Sequence, residues 1–78
     1  MDVAKQPTSD TWLTTKIKAD ILTERGLPGG DIKVETKDGV VNLSSDVTIT
    51  EGQKQLAVSI AKKIKGVRHV TADGLETD

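Results

Sequence analysis

Residues 31 to 47 constrain the fold more than any other stretch. Ile32, Val34 and Thr36 alternate with polar residues before Asp38-Gly39, and Val41, Leu43, Ser45 and Val47 alternate in phase after it. Two alternating runs joined by a two-residue Asp-Gly are the mark of a β-hairpin, because the tight turn that matches strand twist needs positive φ at its centre. Pairing outward from the turn sets Thr36 opposite Val41, Val34 opposite Leu43 and Ile32 opposite Ser45. The apolar partners then share one face of the ribbon, so register and burial agree.

At 78 residues the chain is one small domain, which buries roughly 60% of the surface its unfolded form exposes. It has no cysteine, so neither a disulfide framework nor a thiolate metal site supplements the core, and the redox compartment stays open. No run approaches the ~20 apolar residues of a membrane span, so no transmembrane segment is expected. The N-terminus also lacks a charged segment followed by an apolar stretch. A periplasmic address therefore requires that an export signal has been removed; otherwise the address is cytoplasmic. The net charge of −1 argues against a dedicated nucleic-acid binder, and no nucleic-acid partner is expected. The charge is unevenly spread. From Gly52 to Ala72 there is no acidic residue, whereas Lys54, Lys62, Lys63, Lys65 and Arg68 supply five positive charges.

Residues 1 to 8 are polar, contain Pro7 and show no periodicity, which reads as a disordered lead-in before a single domain over 9–78. Asp10 or Ser9 can cap a first helix, in which Leu13, Ile17 and Ile21 recur at four-residue spacing. Gly26 is its expected end, with Pro28 preventing continuation and Pro28-Gly29-Gly30 looping into the hairpin. After the hairpin, Thr50-Glu51-Gly52-Gln53 fits a capping box that opens a second helix. Ala57, Ile60, Ala61 and Ile64 form its inward face, and Gly66 ends it after a lysine-rich last turn. A third strand follows from Val67 to about Glu76, in which Val70, Ala72 and Leu75 share a face only if Gly74 sits in a bulge. The order helix, strand, strand, helix, strand makes the second helix a crossover that returns the last strand parallel to the second. The expected fold is α+β: an αββαβ two-layer sandwich, its three-stranded mixed sheet covered on one face by two helices. Lys33, Glu35, Lys37, Asn42, Ser44, His69 and Thr71 would face water on the other side.

Asp10…Leu13…Ile17, Ile32-Lys33-Val34, Asp38-Gly39-Val40-Val41-Asn42-Leu43 and Gly66-Val67-Arg68-His69-Val70 together resemble the BON domain, named for bacterial osmotically inducible and nodulation proteins. The likeness covers nearly the whole chain. It departs from the family pattern at Ser45, where glycine is usual, and needs insertions near Ile49 and near Gly74. The resemblance implies the same αββαβ fold and no catalytic motif. It also implies a role in the cell envelope under osmotic stress: attachment to anionic phospholipid, adaptor roles or periplasmic chaperone-like activity. Such domains often occur in tandem, so a further copy in a longer protein is a possible partner.

No residue pattern specifies catalysis. His69 is expected on the solvent face with no nucleophile beside it in sequence. One histidine and scattered carboxylates give no metal-ligand spacing, so no metal and no cofactor are expected. Gly26-Leu27-Pro28-Gly29 matches the GxxG of a KH loop, but it joins a helix to a strand and holds no basic residue, which suits a plain turn. Two features suit a binding surface. Lys54, Val58, Lys62 and Lys65 form a stripe beside the buried face of the second helix, with Arg68 just beyond. These cations suit anionic headgroups, and they equally suit a soluble helix end. Trp12, the single aromatic residue, projects away from the apolar stripe of the first helix near Lys16. That places it either at a lipid interface or folded over the edge of its own core. The lipid-contact candidates are therefore Lys54, Lys62, Lys65, Arg68, Trp12 and Lys16. The competing function is a chaperone or adaptor that binds other proteins through a sheet edge or through Trp12, Leu22 and Val58.

Overall fold

The computed structural model describes residues 10–77, so the expected lead-in over residues 1–8 lies outside the described residues. The elements are α1 (Asp10–Leu22), a 3-10 turn (Gly29–Asp31), β1 (Ile32–Lys37), β2 (Val40–Ser45), α2 (Glu51–Lys63) and β3 (His69–Gly74). β1 and β2 are antiparallel, with Ile32 opposite Ser45, Val34 opposite Leu43 and Thr36 opposite Val41. Asp38 has φ 53° and Gly39 has φ 82°, the two left-handed residues that a tight hairpin turn demands. β3 lies parallel to β2 and completes a sheet of order β1-β2-β3.

The predicted bulge is present. Asn42 stands opposite Thr71 and Ser44 opposite Gly74, so β3 carries one extra residue at this point. The offset lets Ala72 pack on the core while Val70 and Leu75 are buried in it. Gly74 is needed for closeness rather than for φ: a Cβ there would come within 2.7 Å of the Ser44 Cβ and 3.1 Å of the Leu43 carbonyl oxygen.

Both helices cover one face. α1 lies on β1, α2 lies on β3, and the two helices touch. Leu13, Ile17 and Ile21 are fully buried with Ile32, Val41 and Leu43, and Ala57, Ile60, Ala61 and Ile64 close the core from α2. Val34 packs against its margin, half-buried. On the other face Lys33, Glu35, Lys37, Asn42 and His69 are exposed, while Ser44 and Thr71 are half-buried. Thr71 donates its hydroxyl to the Asn42 side-chain oxygen across the strands.

Three local expectations are corrected. α1 ends at Leu22 rather than Gly26, and the positive-φ glycines are Gly39 and Gly66, not Gly26. The chain doubles back at once, pressing Gly29 against the last turn; a Cβ there would lie 2.8 Å from the Leu22 Cα and 3.0 Å from the Ile21 oxygen. Val47 does not continue the core face, because β2 stops at Ser45 and Val47 is 39% exposed. Ile49 takes its place, buried and paired with Thr77, its N–H donating to the Glu76 oxygen at 2.7 Å. Asp10 is a helical residue whose carboxylate leaves its own helix end. It accepts from the N–H groups of Asp38 (2.9 Å) and Gly39 (3.2 Å). Ser9, the other capping candidate, lies outside the described residues.

Candidate functional site

The capping box fixes where α2 begins. The Thr50 hydroxyl accepts from the Gln53 N–H at 3.0 Å and the Gln53 side-chain oxygen accepts from the Thr50 N–H at 2.8 Å. The remaining Gln53 amide donates to the Gly26 oxygen at 3.0 Å, tying α2 to the loop after α1. With that start and with Ala57, Ile60, Ala61 and Ile64 turned inward, the helical repeat sends Lys54, Val58 and Lys62 along the outer flank.

Lys54, Lys62 and Lys63 line, with Gln55, Val58 and Ser59, a shallow depression of about 390 Å³. Lys62 also enters a second depression, of about 330 Å³, with Val67, Arg68, His69 and Val70. No carboxylate lines either one. Among the described residues the ion pairs are Lys16–Asp20 and Lys33–Asp46, so none of Lys54, Lys62, Lys63, Lys65 and Arg68 is in one.

Arg68 is seated by the hairpin turn. Its N–H donates to the Gly39 oxygen at 2.8 Å. Its side-chain methylenes lie over Gly39, where a Cβ would approach the Arg68 Cδ to 2.8 Å. Asp10 grips the same turn, so the first turn of α1 and the segment after α2 meet at one end of the domain.

The expected residues divide accordingly. Lys54, Lys62 and Arg68 fall on two adjoining depressions, whereas exposed Lys65 lines neither. Trp12, 47% exposed, and Lys16 are on α1 and line neither; Lys16 is held by Asp20 at 3.4 Å. Lys63 and His69 join the linings, although neither is among the expected lipid contacts. Lys63 follows Lys62 in the chain but sits about 100° round the helix from it, so the Lys54, Val58, Lys62 stripe does not include it. His69 could not have been found from the sequence, since its approach to Lys62 depends on how α2 lies over the edge strand. Among the described residues there is no cluster of three or more potential metal ligands, and no helix is long and apolar enough to cross a membrane.

Residues 9–77 match the family model of the BON domain. The chain is 45% identical over 64 residues to "Osmotically-inducible protein Y" of Escherichia coli K12, covering 82% of this chain and 31% of that protein. It is 37% identical over 65 residues to "Outer membrane lipoprotein DolP" of Haemophilus influenzae, covering 83% of this chain and 33% of that protein. The match thus spans about a third of each relative's length. With the family pattern running from end to end of the described fold, the chain belongs to the BON domain family.

Proposed function

We propose that this domain is a non-enzymatic binding module of the bacterial cell envelope that docks reversibly on anionic phospholipid surfaces under osmotic or envelope stress. The observation that carries the reading is the acid-free lining of the two adjoining depressions, where Lys54, Lys62, Lys63 and Arg68 converge. Lys65 extends the basic flank, and Trp12 with Lys16 offers a second contact on α1. The names of the relatives, one osmotically inducible and one an outer membrane lipoprotein, favour an envelope setting, periplasmic for this domain. Because those proteins extend well beyond the matched region, a neighbouring BON domain is a natural covalent partner. Each basic residue near an anionic surface contributes ~1 kcal/mol, so this set holds a domain weakly and releases it in salt. Co-sedimentation with phosphatidylglycerol vesicles tests the reading. Binding should fall with added salt, and combined Lys54→Glu, Lys62→Glu and Lys65→Glu reversal should weaken it about a hundredfold or more. Absence of wild-type binding, or indifference to the reversal, refutes it. A blue shift of Trp12 fluorescence on adding vesicles would place the ring at the lipid surface; an unchanged spectrum at saturating lipid removes it from the site.

The second reading is a chaperone-like or adaptor domain for other proteins, favoured by the exposure of Trp12 (47%) and Leu22 (55%) on α1 and by the two outer strands of the sheet. Its binding would survive high salt. Failure to suppress aggregation of an unfolded client at stoichiometric excess would exclude it.

A further inference from the structure

We propose that the depression between the end of α2 and the start of β3 is a phosphate subsite in which the His69 imidazolium acts as a third cation beside Lys62 and Arg68. The inference rests on the lipid-docking reading and adds to it a ligand group and a pH response.

The three side chains come from three places. Lys62 is in the last turn of α2, Arg68 lies in the connection after it, and His69 opens β3. The negative pole of a helix C-terminus accounts for Lys62 and Lys63 without any ligand. It does not account for Arg68 and His69, which lie beyond the helix and face the same 330 Å³ depression. The chemistry of the three is complementary: a flat guanidinium that grips two phosphate oxygens, an ammonium that acts as a point charge, and an imidazole that donates from both nitrogens when protonated. Val67, half-buried, and Val70, 9% exposed, form the apolar part of the lining. Arg68 is also pre-positioned, since its backbone and methylenes are held on the Gly39 turn.

Histidine changes charge between pH 5 and 8 in ordinary surroundings. No carboxylate lines the depression that His69 faces. α2 contributes Lys62, the connection contributes Arg68, and β2 contributes the uncharged Val40 as its cross-strand partner. Lys37 pairs with that same Val40 at the end of β1. The acid on its own strand, Asp73, stands four residues farther along, past Thr71 and at the bulge. A proton on the imidazole would make His69 the third cation of a lining that already holds Lys62 and Arg68.

The test compares wild type with His69→Gln on vesicles of equal parts phosphatidylglycerol and phosphatidylcholine. Wild type should bind about fivefold more tightly near pH 5.5 than near pH 7.5, the equivalent of one added charge at ~1 kcal/mol. His69→Gln, a substitution at an exposed position, should lose the gain, whereas Arg68→Gln should weaken binding at both pH values. A gain of equal size in His69→Gln overturns the subsite. Salt-sensitive wild-type binding that is the same at both pH values overturns it too, while leaving the lipid-docking reading intact. Titration with inorganic phosphate, followed through the His69 imidazole resonances, separates the sources. Perturbation without vesicle uptake at either pH keeps the subsite and assigns it to a soluble phosphate compound. Neither uptake nor perturbation refutes both readings.

Discussion

Asp10 and Gly74 show how single residues hold this small fold. The Asp10 carboxylate accepts two turn N–H groups from 28 and 29 residues away. Hydrogen bonds to a charged acceptor contribute ~1.5–3 kcal/mol when buried and less with partial exposure. Asp10→Ala should therefore lower stability by about 1–2 kcal/mol, read as a lower urea midpoint with an unchanged slope. Asp10→Asn keeps one acceptor oxygen and should fall between the two. A loss below the error of the midpoint would mean that the turn is held by its own geometry. At Gly74 the neighbours are the Ser44 Cβ and the Leu43 oxygen. Gly74→Ala should cost ~1–3 kcal/mol by overpacking. Ser44→Gly in the same chain removes the closest of the opposing atoms, so the double variant should be more stable than the sum of the singles implies.

The elements differ in how much of them could be read from neighbours in the chain. The hairpin register and the capping box depend on residues within a few positions of one another, and both appear as expected. The inward face of α2 and the bulge at Gly74 follow from apolar spacing, which has one solution once the sheet face is chosen. The end of α1 was not legible, because Gly29 stops it by packing on Ile21 and Leu22 from seven or eight residues on. The place of Ile49 in the core likewise depends on pairing with Thr77. At this scale two losses are predicted. Thr50→Ala removes the acceptor for the Gln53 N–H and should cost about 1 kcal/mol. Ile17→Ala, at the centre of the α1 stripe, should cost ~2–5 kcal/mol, which is a large share of the total in a domain of this size. Thermal unfolding followed by circular dichroism orders the two. Equal losses would show that the core is looser than its burial indicates.

Across the molecule, protection and exposure are unevenly distributed. The start of the β1 edge is closed by Lys18, whose ammonium donates to the Gly29 oxygen at 3.0 Å and to the Ile32 oxygen. Blunting an edge with lysine limits strand-to-strand association. Lys18→Met should accordingly raise the fraction of dimer or larger species in sedimentation at high concentration; a purely monomeric variant would show that α1 shields the edge by itself. The basic flank was legible as a run of positive residues, but its division into two depressions was not, because it depends on the angle of α2 over β3. The Asp38-Gly39 turn joins these parts. It donates two hydrogen bonds to the Asp10 carboxylate in the first turn of α1 on one side and accepts one from the Arg68 amide on the other. Those two peptide units form a hub with three spokes, so their amides should exchange with solvent at rates matching that of Arg68 rather than at the fast rates of an isolated loop tip. Whatever engages the arginine is thereby wired to an aspartate on the far helix, and occupancy on one flank would be audible, as slowed exchange, on the other.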